Sequence, residues 1–168
     1  MRNMRSLSVC RDIGRFKNTW LLVTFTLSIV GAAVIAQAST ITRCGASKGF
    51  AWYFESGLVE KRKTGWTKDG VSKGDITLVR DGDEYDIIFT DATGGTSSAK
   101  ANGAEVLFLG GTRPFVILEA YTKTQGLSVF TYTFDLDDHG AGQVVYSATK
   151  LNGLINKAAI YKAECTGK

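Results

Sequence analysis

Residues 76–90 read ITLVRDGDEYDIIFT, and their alternation decides the fold class. Ile76 and Leu78 share one parity of the first half. In the second half Tyr85, Ile87 and Phe89 take one parity, and Glu84, Asp86 and Thr90 the other. Successive side chains of an extended strand point to opposite faces, so this pattern describes strands with one apolar and one wet face. Asp81-Gly82-Asp83 between them is the composition of a tight hairpin turn.

The same pattern recurs on both sides. Residues 49–54 set Phe50, Trp52 and Phe54 on one face. Residues 97–101 suit a short edge strand. Residues 105–109 and 115–120 are apolar on both faces, which predicts central or covered strands. Residues 128–134 turn Phe130, Tyr132 and Phe134 inward, residues 143–148 turn Val144, Tyr146 and Ala148 inward, and residues 158–165 align Ala159, Tyr161, Ala163 and Cys165. The chain has one proline and 19 glycines, and its connections are short Gly/Asp/Thr/Asn clusters. The sum is an all-β domain: about eight strands in an antiparallel meander, closed into a small barrel, with a β-sandwich as the alternative. A short helix over 151–157 is the one helical option in this part of the chain. Residues 56–75 read as a long irregular connection, carrying Lys61-Arg62-Lys63, Gly65-Trp66 and Lys68-Asp69-Gly70.

Residues 1–38 stand apart. Arg2, Arg5, Arg11, Arg15 and Lys17 face a single acid, Asp12. An apolar run from Trp20 to Ala36 follows and closes on Ala36-Gln37-Ala38. A positive region, an apolar region and a small-x-small site are the layout of a helical secretory signal peptide. The expected mature protein is then residues 39–168, a single β-domain that is periplasmic or secreted and has no membrane span once the leader is cut. An uncleaved anchor is the alternative, because the apolar run is about as long as the shortest bilayer spans. The net charge of +4 belongs to the leader: without it, basic and acidic residues balance. A nucleic-acid partner, which demands surplus Lys and Arg on the folded domain, is not expected.

Cys10 leaves with the leader. The remaining pair, Cys44 and Cys165, is most simply one disulfide in an oxidising compartment, tying the first strand to the last.

Candidate chemistry is sparse. His139 lies in DLDDHGAG, residues 135–142, whose reading is a hairpin connection. Its likeness to a calcium loop fails at His139 and at Tyr146, where oxygen ligands belong. No nucleophile elbow and no phosphate-cradling loop occurs, and no catalytic residue, metal or cofactor is expected. Two carboxylates at a suitable separation would suffice for hydrolysis, and spacing in sequence does not reveal such a pair.

Cys44-Gly45-Ala46-Ser47, Ala51-Trp52-Tyr53-Phe54, Gly65-Trp66, Lys68-Asp69-Gly70, Asp86-Ile87-Ile88, Tyr132-Thr133-Phe134 and the closing Cys165, in this order, resemble a family of small exported bacterial proteins of unknown function. The resemblance implies export and a single domain. It brings no activity, ligand or site residue.

The functional expectation is therefore a monomeric, non-enzymatic binding or structural domain. Its concrete form holds a small apolar or amphipathic ligand inside the barrel, with Trp52 and Trp66 at the mouth. Lys63 is the candidate contact for an anionic partner. The rival readings are an extracytoplasmic hydrolase using carboxylates and a module that binds or inhibits an envelope protein through residues 56–75.

Overall fold

A computed structural model describes residues 38–167, except 92, 124 and 125. The expected leader lies, but for Ala38, outside the described residues. Eleven strands follow one another: β1 (Ser39–Cys44), β2 (Ser47–Tyr53), β3 (Gly65–Val71), β4 (Asp75–Asp81), β5 (Glu84–Thr90), β6 (Thr96–Ser98), β7 (Glu105–Gly111), β8 (Phe115–Lys123), β9 (Gly126–Leu136), β10 (Gly142–Leu151) and β11 (Lys157–Thr166). A single 3-10 turn, Lys61–Lys63, is the one helical element among the described residues.

All pairings are antiparallel. The sheet runs β6-β5-β4-β1-β11-β10-β9-β8-β7. One edge of β11 pairs with β10 from Lys157 to Cys165. The other edge is shared: β2 covers Lys157–Lys162, and β1 takes Cys165 and Thr166. From there β1 leads to β4, β5 and β6, while β2 leads to β3. The first and last strands lie side by side as expected, and a disulfide joins Cys44 to Cys165, residues that face each other across the ladder.

The sheet curls into a half-barrel around a core in which Phe134, Leu78, Ile87, Ile117 and Val144 are completely buried. The curl brings β5 near β7, where the Tyr85 and Phe108 rings stack with centroids 5.2 Å apart. Among the described residues no backbone ladder joins these strands, so side chains hold this seam.

Four local expectations change. The stretch 56–75, read as irregular, contains β3, which pairs with β2 from Val71↔Ser47 to Gly65↔Tyr53. Its inward positions are Gly65, Thr67, Asp69 and Val71, so the usual apolar parity is hidden. Strand β7, expected to be central or covered, is an end strand of the sheet path with Leu107, Phe108 and Leu109 largely exposed. A bulge between Phe108 and Gly110 shifts its register there. Phe50 and Trp52 do share a face, but it is the outer one, and Ala51 is the buried neighbour between them. Residues 151–157 form no helix: they end β10, bend through Asn152 in the left-handed region at φ 60°, and begin β11.

Candidate functional site

The ladder register stacks the inner face into three transverse rows. One runs Ile117, Tyr132, Tyr146, Tyr161, Gly49, Asp69 across β8, β9, β10, β11, β2 and β3. The next runs Glu119, Phe130, Ala148, Ala159, Ala51, Thr67. The third runs Tyr121, Ser128, Lys150, Lys157, Tyr53, Gly65. Three adjacent alanines thus lie between a row of tyrosines and a row carrying two lysines. Small residues flanked by large ones leave a trough, and a pocket of about 180 Å³ opens there, over Ala148. Ile76, Ile87, Phe89 and Ala99, from the arm that curls over the sheet, form its opposite wall.

The tyrosines are locked. Tyr132 and Tyr146 rings lie 5.4 Å apart, and Tyr146 and Tyr161 rings 5.0 Å apart. Each hydroxyl has a partner: Tyr132 donates to Glu119 at 2.8 Å, Tyr146 to Ser47 at 2.8 Å and Tyr161 to Asp69 at 2.5 Å. Gly49 makes the last bond possible. It sits between Tyr161 and Asp69 in the row and carries no side chain, so the two groups meet across β2. A Cβ at Gly49 would stand 1.9 Å from the Ile160 carbonyl oxygen.

Asp69 is a hub. Its Oδ2 accepts from Tyr161, from Tyr53 at 3.0 Å and from Lys157 at 2.7 Å, and its Oδ1 accepts the Gly70 N–H at 2.8 Å. Burial pushes its pKa up, but these donors and the Lys157 charge outweigh it and bring the carboxyl down to about 2. Burial pushes Tyr161 upward, with the Asp69 carboxylate adding to it. Glu119 is buried; desolvation raises its pKa, and the Tyr132 hydroxyl works the other way. Desolvation lowers the pKa of Lys150, with the neighbouring Lys157 charge contributing.

The structure brings Trp52 and Trp66 together, edge to face with centroids 5.8 Å apart, on the outer surface of β2 and β3. Neither lines the pocket. Lys63 lies in the exposed 3-10 turn, 4.0 Å from Glu60, also away from it. Asp137 Oδ1 accepts the N–H groups of His139 and Ala141, which makes the segment around His139 a capped turn. Among the described residues no three His, Cys, Asp or Glu side chains gather as a metal site. Glu119 is the one carboxylate among the described residues that line the pocket.

Sequence reasoning missed Glu119, Lys150, Lys157 and Asp69. For three of them a signal existed. Carrying the inward parity onward from Phe115 and Ile117 reaches Glu119, from Tyr146 and Ala148 reaches Lys150, and back from Tyr161 and Ala159 reaches Lys157. A charge on the inward parity of an apolar strand marks a polar group within the core.

Comparison with known proteins finds no matching family model, no matching curated sequence and no matching solved structure.

Proposed function

We propose that this is a non-enzymatic binding domain, exported as its resemblance to small exported bacterial proteins implies, and that the half-barrel serves as a container for one small molecule. The observation that carries the reading is the pocket over Ala148, walled by aromatic rings whose hydroxyls are already satisfied. Such a wall is rigid and offers mainly apolar surface, which suits binding more than bond-making. Dry cavities of about 150 Å³ take up a benzene ring, so the ligand is ring-sized. Export is supported by the leader and by the Cys44–Cys165 disulfide, which fits an oxidising compartment.

The test is native mass spectrometry on protein purified from its own cells. Wild type is expected to carry a small-molecule mass that denaturation releases, and Ala148→Leu, which fills the trough, is expected to have lost it. Wild type that is always empty, or a bound mass that Ala148→Leu retains in folded form, would count against the pocket.

A further inference from the structure

We propose that Lys150 is the anion-binding residue of this pocket, and that the ligand is a small amphipathic acid: one negative group on an apolar body about the size of one ring. This rests on the pocket being a ligand site and adds the ligand's charge.

Lys150 differs from the other charged groups at this site in its partners. Lys157 donates to Asp69 and, at 2.8 Å, to the Tyr161 hydroxyl. Glu119 is held by Tyr132. Lys150 lines the same pocket, yet among the described residues it makes no ion pair and no hydrogen bond. Its ammonium lies 5.4 Å from the centroid of the Phe130 ring. Cation–π contact compensates only part of what a half-buried ammonium loses on leaving water. Its ladder neighbours are Ser128 and Lys157, and the Glu119 and Asp69 carboxylates act on it through space without a hydrogen bond or ion pair. An entering carboxylate, sulfonate or phosphate would give it a direct counter-charge. Phe130, Tyr132 and Phe89 offer the ring faces for the apolar part. A cationic ligand is disfavoured by Lys150, and the one carboxylate in the lining already accepts from Tyr132.

Benzoate and its neutral isostere benzamide test the charge, titrated by NMR into wild type and Lys150→Met, with Lys150→Gln as a second variant should the first misfold. Wild type is expected to bind benzoate at least about tenfold more tightly than benzamide, the scale of one charge-assisted hydrogen bond. In the variant that preference should vanish while benzamide affinity stays within about twofold. The thermal midpoint of the ligand-free variant should rise, because an unpaired ammonium has gone. Equal affinities in wild type would overturn the acid assignment and leave the pocket standing. A benzoate preference that survives in the variants would overturn the role of Lys150. If neither compound shifts pocket resonances, the pocket reading itself fails.

Discussion

Asp69 shows how one residue organises a wall. Three side chains from two strands end on a single carboxylate oxygen, and the arrangement depends on the missing side chain at Gly49. Because its folded pKa of about 2 lies below the ordinary 3.8, its stabilisation is complete above pH about 4 and is lost as the pH falls toward 2. Asp69→Asn should therefore cost about 2 kcal/mol at neutral pH and much less at pH 2. Urea titrations at the two pH values check this; equal losses at both would sink the ionic account. Gly49→Ala should disrupt the β2–β11 pairing by more than 2 kcal/mol, since the new methyl meets backbone that has no room to yield. A thermal midpoint within a degree or two of wild type would contradict it. None of this was legible in the sequence. Asp69 sat in a stretch that read as irregular, and a glycine's role is set by the strands on either side of it, which share no local pattern with it.

At the scale of the element, the alternating runs were legible wherever the inward face is apolar. Strands β4, β5, β9, β10 and β11 all show it. Strands β1 and β3 did not, for one reason: polar residues hold inward positions, Thr42 in β1 and Thr67 and Asp69 in β3. Thr42 is fully buried in β1, and its hydroxyl donates to the Gly140 carbonyl at 2.6 Å, so a core position reads as surface. The opposite error arose at β2, where the large residues face out and the small Ala51 faces in. The hairpin of β2 and β3 therefore has its aromatic pair on the solvent side. Trp66→Ala is expected to lower stability by about 1 kcal/mol, the worth of an edge-to-face pair. It should leave small-molecule binding unchanged. A binding defect in that variant, measured beside its folding free energy, would restore tryptophan to the mouth of the pocket.

For the whole molecule, the disulfide spans 121 residues and fastens β1 to β11 at the point where both arms of the sheet meet. Closing a loop of that length is worth about 4–5 kcal/mol in lost freedom of the unfolded chain. The oxidised protein should be about two daltons lighter than the reduced one, by conservation of the two thiol hydrogens. The Cys44→Ala/Cys165→Ala double variant should unfold at markedly lower denaturant. Equal midpoints would mean that the loop closure contributes nothing. This staple was legible from cysteine arithmetic, whereas the half-barrel's seam between β5 and β7 was not, because ring stacking across a gap leaves no period in the chain.

Strand β11 joins the arms of the sheet, yet ten strands precede it in the order of synthesis. Without residues 157–166 the ladder falls into three pieces that share no backbone pairing: β2 with β3, β6-β5-β4-β1, and β10-β9-β8-β7. Of these, the two-stranded piece of β2 and β3 is marginal in water on its own. The last strand to arrive docks between these pieces, brings the two cysteines together and completes the curled sheet.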